Sequence, residues 1–141
     1  MAEEGYLDHW GNAARMFPAD RHYAFARKIG DTSKVVLTSK LARSRWDRTV
    51  VASGDLVEEV NRLKRQPGGD IITFGGVSFA SSLIASALVD ELQLFVNPTV
   101  VGEGRSIFRG VPKGLALELI QSNSYSCGIV VDRYAPTSKS R

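Results

Sequence analysis

Cysteine is nearly missing from this chain. Cys127 is the only one in 141 residues, which rules out an intrachain disulfide framework and a cysteine-built zinc site. Long apolar runs are missing too. No stretch approaches the ~20 residues that a membrane-spanning helix needs. The opening MAEEGYLDHW carries acids where a secretory signal carries positive charge and then an apolar block. A cytoplasmic protein without a membrane partner is the expectation. Histidine is scarce: His9 and His22 are the two present. Both lie far in sequence from any Asp/Glu/Cys cluster, so they read as surface residues and no metal site is expected. Charge of one sign is in small excess, a formal +3, with basic residues gathered at Lys40–Arg48, Arg62–Arg65 and Lys139–Arg141. A nucleic-acid partner calls for a longer stripe interleaved with aromatics. Solvated basic surface is the better reading, and no nucleic acid is expected.

Familiar catalytic signatures are also lacking. The dinucleotide fingerprint G-x-G-x-x-G fails, because Gly102-Glu103-Gly104 is followed by Ile107 where a third glycine belongs. There is no Walker A loop. Gly76-Val77-Ser78-Phe79-Ala80 is one residue short of the nucleophile elbow G-x-S-x-G. A hydrolase of that kind needs a histidine after the serine, whereas both histidines precede it, so Ser78 reads as a helix N-cap. Cys127 reads as a small core residue at the start of an apolar strand, not as a nucleophile.

What is present is an ordinary globular composition, 43% hydrophobic and 23% charged, in a chain long enough for one domain with a core. That domain is expected over residues 1–134, followed by a frayed polar tail over 135–141. Tyr6, Leu7, Trp10, Ala14 and Phe17 suggest a partial helical face. Pro18 suits the first position of a second helix with an apolar stripe at Tyr23, Phe25, Ala26 and Ile29. Arg27-Lys28 and then Gly30 give that helix a C-terminal signal. Lys34–Thr38 and Thr49–Ala52 read as short strands flanking a basic loop around Trp46. Asp55 with Glu58 opens a helix as a capping box, and Pro67-Gly68-Gly69 stops it. Further on, Leu115, Leu117 and Leu119 alternate with Ala116, Glu118 and Ile120, Ser122-Asn123-Ser124 reads as a hairpin connection, and Cys127–Tyr134 as the last strand. About six strands and three helices result. The fold class is α/β, three layers with a mostly parallel sheet that ends in an antiparallel hairpin.

The stretch that organises the chain is Gly69–Val101. The apolar Ile71, Ile72 and Phe74 meet Gly75-Gly76, and a helical spacing follows through Phe79, Leu83, Ala87 and Leu88. Leu92, Leu94 and Val96 then alternate as a strand, which suits a right-handed βαβ crossover. Glycines between strand and helix permit close backbone approach to a ligand, and helix N-termini offer free N–H groups to phosphate. The spacing equally allows a plain tight turn. Gly75, Gly76, Val77 and Ser78 would present amides to a diphosphate. Thr38, Ser39 and Lys40, with Arg43 close behind, end a parallel strand on the edge where α/β ligands bind. Hydroxyls and a cation there suit a ribose 2′-phosphate, favouring NADP over NAD; a solvated loop is the plain alternative for Lys40 and Arg43.

These residues together, VVLTSKL and then DLVEEVNRLKRQPGGDIITFGGVSFASSLIASALVDELQLFVNPTVVGEGRSIF, resemble the dihydrofolate reductase-like superfamily. The nearest branch is the C-terminal reductase domain of the bifunctional riboflavin-biosynthesis deaminase–reductase, with its stand-alone bacterial relatives. The resemblance runs from Lys34 to Tyr134 and is strongest over Gly68–Phe108. It implies NADPH as cofactor, with the diphosphate and nicotinamide ribose against Gly75, Gly76, Val77 and Ser78 and the 2′-phosphate at Thr38, Ser39 and Lys40. Hydride transfer to a pterin- or pyrimidine-like molecule is implied, as in a dihydrofolate reductase or a 5-amino-6-(5-phosphoribosylamino)uracil reductase, and so is a homodimer. One departure is plain. The family's opening strand, its Ser-Leu-Asp-Gly-type loop and a second strand ending in Gly-Arg have no counterpart here, so catalytic residues on the substrate side are not assigned. Loss of those interior strands is expected to leave backbone groups beside the Phe74 and Leu94 strands without partners. The rival reading is a catalytically incomplete nucleotide-binding or oligomeric protein that keeps the fold without turnover.

Overall fold

A computed structural model describes residues 5–73, 76–111 and 114–137; of Tyr6 and Leu7 it describes the backbone alone. Phe74, Gly75 and the Lys139–Arg141 cluster therefore lie outside the described residues. The chain gathers into two compact units, residues 1–66 and 67–141.

In the first unit, α1 (Tyr6–Met16) and α2 (Ala24–Asp31) pack together, with Ala13 and Ala26 buried and Trp10 meeting Phe25 edge-on at 5.3 Å. Pro18 does not open the second helix. It lies in a turn, and a single 3-10 turn at Arg21–Tyr23, capped by the Asp20 side chain, precedes α2. Nor does Gly30 end α2, which runs through it to Asp31. The reason lies four residues on. The Lys34 ammonium donates to the carbonyls of Ile29, Gly30 and Thr32 at 2.9, 3.2 and 2.7 Å, and the Thr32 hydroxyl donates to that of Lys28 at 2.6 Å. The carbonyls of Ile29 and Gly30 are acceptors that a helix end leaves without an intrahelical partner, so no glycine terminator is required. Partial burial, then the nearby Arg48 charge, lowers the Lys34 pKa.

β1 (Lys34–Leu37) and β2 (Thr49–Ala52) pair in parallel, Lys34 opposite Thr49 and Leu37 opposite Ala52. Both contain valines whose β-branches favour the pleated chain. Asp55 then caps α3 (Leu56–Lys64): its carboxylate accepts from the N–H groups of Val57 and Glu58 at 2.9 and 3.1 Å. Leu56, Val60 and Leu63 are the half-buried apolar positions of that helix, as their spacing predicts.

The second unit holds α4 (Val77–Ala85) and a three-stranded sheet in the order β3 (Leu92–Val96), β5 (Val130–Thr137), β4 (Ala116–Ser124), antiparallel throughout. Leu83, Ile84, Leu88, Leu92 and Val131 are its buried apolar residues. The α/β class and the antiparallel ending are as expected. Parallel pairing, expected over most of the sheet, occurs at β1–β2 alone among the described residues. Residues 71–73 form no strand, and Ile71 and Ile72 are exposed. A strand exists only by virtue of a neighbour on its ladder. Among the described residues β3 pairs with β5 alone.

Four further expectations are corrected. Ser122-Asn123-Ser124 belongs to β4, paired with Asp132, Val131 and Val130, and the hairpin turn lies at residues 125–129, closed by Tyr125 N–H to Ile129 carbonyl at 2.9 Å. Cys127 is consequently exposed in that turn. β5 extends through Ala135–Thr137, paired with Glu118, Leu117 and Ala116, where a frayed tail was expected. Finally, the Leu115–Leu119 alternation breaks at Ile120. A bulge there lets Leu119 oppose Tyr134 and Gln121 oppose Arg133, so the following residues exchange faces.

Candidate functional site

The strand-end group lies in the first unit. Thr38 follows β1, its N–H extending the ladder to the Ala52 carbonyl at 3.0 Å. Its Oγ1 accepts from the Lys40 N–H at 3.1 Å, which turns the chain sharply off the sheet edge. The Thr38 hydroxyl hydrogen stays available to a ligand, and Ser39 and Lys40 are exposed beside it. Thr38, Ser39 and Lys40 thus form one short turn at the C-terminal end of a parallel strand.

The residues after Lys40 are fixed by a carboxylate that sequence reasoning missed. Asp8, on α1, accepts from Arg45 Nη2 at 2.6 Å with one oxygen and from the Trp46 indole N–H at 2.9 Å with the other. The Arg45 guanidinium also lies 4.9 Å from the centre of the Trp46 ring. Asp8 stands 37 residues before Arg45, and no local pattern joins them. The one available signal is that a half-buried indole N–H requires an acceptor.

The glycine group lies in the second unit. Gly76, not Ser78, is the N-cap of α4; its backbone is extended and no side chain caps the helix. Ser78 is the second helical residue, exposed, with its carbonyl accepting from the Ser82 hydroxyl at 3.1 Å. The first intrahelical bond runs from the Ala80 N–H to the Gly76 carbonyl. The amides of Val77, Ser78 and Phe79 precede it and have no intrahelical acceptor. No acidic side chain occupies the first turn, in contrast with Glu58 and Glu59 on α3. No residue of its own first turn therefore offsets the positive end of the helix dipole. Gly76 has φ −68°, which any residue adopts, and a Cβ placed there would meet nothing within 4 Å. Among the described residues neither backbone strain nor packing demands glycine at this position. Gly75 is outside the described residues.

Two hollows in the second unit lie elsewhere. One, about 700 Å³ and wide open, is bordered by Gly102–Arg105; the other, about 320 Å³, by Phe108, Val111, Gly114, Leu115 and Leu117. Neither includes a sequence-predicted site residue. Among the described residues no cluster of His, Cys, Asp and Glu could hold a metal, and no helix is long and apolar enough to cross a membrane. His22 bonds the Asp20 carboxylate at 2.9 Å, and His9 meets Trp10 edge-on at 5.1 Å.

Comparison with known proteins places these features in context. The RibD C-terminal domain family matches residues 16–131. The uncharacterized protein YyaP of Bacillus subtilis (strain 168) is 32% identical over 103 residues, covering 73% of this chain and 55% of its own length. The chain therefore spans about half the length of that curated relative. Among solved structures, a Shewanella sp. PV-4 protein whose name places it in riboflavin biosynthesis superposes with a TM-score of 0.66. That match has 18% identity and covers 96% of this chain and 80% of the other, a likeness of fold.

Proposed function

Since the chain belongs to the RibD C-terminal domain family, we propose that it acts as an NADPH-dependent reductase, transferring hydride to a pterin- or pyrimidine-like small molecule. The observation that carries this reading is Gly76: among the described residues neither strain nor packing asks for glycine there, and it opens a helix whose first turn has no capping and no acidic side chain. A diphosphate fits there, because the amides of Val77 and Ser78 are donors in search of an anionic acceptor. The turn at Thr38–Lys40 supplies a hydroxyl and an ammonium suited to a ribose 2′-phosphate. NADPH, when bound, supplies the hydride; the residues named here bind and orient it.

A second reading has its own support. Among the described residues β3 is paired with β5 alone, and Ile71 and Ile72 are 58% and 70% exposed. On that reading the chain binds nucleotide, or assembles with other copies, without turnover. Fluorescence titration with NADPH followed by an NADPH-oxidation assay across pterin and pyrimidine substrates separates the two. Binding with oxidation supports the reductase, and binding without oxidation of any substrate supports the second reading. Absence of binding removes the first.

A further inference from the structure

The sheet of the second unit has two outer strands, and the fold treats them differently. β4 is guarded. It carries the charged Glu118, and the bulge at Ile120 interrupts the regular spacing of its backbone groups. Charges and bulges are the devices that keep an edge strand from pairing with another chain. β3 has neither. Its five residues, Leu92-Gln93-Leu94-Phe95-Val96, are uncharged, contain no proline and pair with β5 in unbroken register. Phe95 and Val96 are 65% and 52% exposed, and among the described residues no strand lies on the other side of β3. An antiparallel copy of the same strand suits that edge. With Leu94 set opposite the partner's Leu94, Leu92 opposes Val96 and Gln93 opposes Phe95. Alternation then makes one face of the seam wholly apolar, from Leu92, Leu94 and Val96 of both copies, and lays each Phe95 ring beside a Gln93 side chain on the other. Charge agrees with this register. Beyond the strand, Glu91 and Asp90 fall opposite Asn97 and Pro98, so no like charges face each other. Glu91 is moreover already matched by Arg133, at 2.9 and 2.6 Å. Pro98 has no N–H and ends the ladder at the same point in both copies.

We infer that the free edge of β3 is the surface by which two copies of this chain join, antiparallel and centred on Leu94, so that two three-stranded sheets become one. The joint is isologous: the same five residues serve both sides, and each copy covers the other's Phe95 and Val96. Backbone hydrogen bonds supply the affinity, and the uncharged, self-matching side chains supply the register. The inference gives the expected homodimer a definite seam and does not depend on the cofactor reading.

The test is cysteine cross-linking of the full chain in a Cys127→Ser background, which removes the exposed native thiol. Gln93→Cys and Phe95→Cys lie at exposed positions, so both variants are expected to fold as the parent does. In the inferred register these two positions oppose each other, at the separation that a disulfide spans, whereas each is offset by two residues from its own copy. An equal mixture of the two variants, treated with oxidised glutathione, is expected to give several-fold more linked pair than either variant alone. Equal linking in all three samples, or none in any, overturns the register. Light scattering tests the edge itself. Phe95→Lys removes an exposed ring and places a charge on β3, and is expected to raise the dissociation constant of the pair at least about ten-fold. Ile120→Lys, on the guarded edge, is expected to leave it unchanged. A parent that stays monomeric at micromolar concentration overturns the inference, as does a Phe95→Lys variant that pairs like the parent or an Ile120→Lys variant that dissociates as readily as Phe95→Lys.

Discussion

Ala87 carries φ +53°, a left-handed conformation that costs an L-residue roughly 1–2 kcal/mol. It stands where α4 ends. Its N–H bonds the Ile84 carbonyl at 3.1 Å and the Leu88 N–H bonds that of Leu83 at 3.0 Å, a closing pattern usually built around glycine. Ala87→Gly is therefore expected to raise stability by ~0.5–1 kcal/mol, read as a higher midpoint in urea; an unchanged or lower midpoint contradicts the strain. Glu91 offers a second residue-scale prediction. Arg133 donates to both of its oxygens, at 2.9 and 2.6 Å, and Gln93 donates at 3.0 Å. The Arg133 bonds, then Gln93, pull its carboxyl from 4.5 down to about 2. A folded-state value below the ordinary one means that the contribution is fully present above about pH 4.5 and vanishes as pH falls from there through about 2. Between those limits the urea midpoint of the parent should fall more steeply than that of Glu91→Gln. Parallel slopes would show the pair to be idle. At this scale the site was half legible. Thr38, Lys40 and Gly76 stand out as residue types at element ends, whereas Asp8 acts through a contact that only the fold creates.

Elements were legible where their signals are local. Branched residues mark β1 and β2, and the Asp55 side chain caps α3 from the adjacent turn. They were misread where a distant group decides. Gly30 stays helical because Lys34 reaches back to cap α2. Ser122-Asn123-Ser124 has turn composition but lies on a ladder, because the turn is fixed further on by Gly128. Gly128 has φ +87°, and a Cβ there would approach Pro98 Cγ to 3.0 Å. Gly128→Ala should cost about 2 kcal/mol, combining the left-handed penalty with that contact, and should lower the thermal midpoint. A variant as stable as the parent would show that the hairpin tolerates another turn. The segment at Ile71–Ile72 illustrates the same limit. Its residues favour a strand, but pairing depends on a neighbour that sequence pattern does not reveal.

For the molecule as a whole, β3 has one paired edge among the described residues and exposes its Phe95 and Val96, and open strand edges invite pairing. We propose a homodimer, expected to show twice the mass of one chain by light scattering at micromolar concentration; a monomer under those conditions contradicts it. The central claim is narrower and concerns the mouth of α4. Gly76→Asp is compatible with the backbone angles and the empty space there, and its carboxylate can cap α4, so the variant should melt no lower than the parent, while the same carboxylate meets a phosphate with like charge. The deciding measurement is a calorimetric titration of NADPH into both proteins. The account predicts saturable binding to the parent and at least about ten-fold weaker binding to Gly76→Asp. Equal affinities, or no heat of binding with the parent, would contradict it.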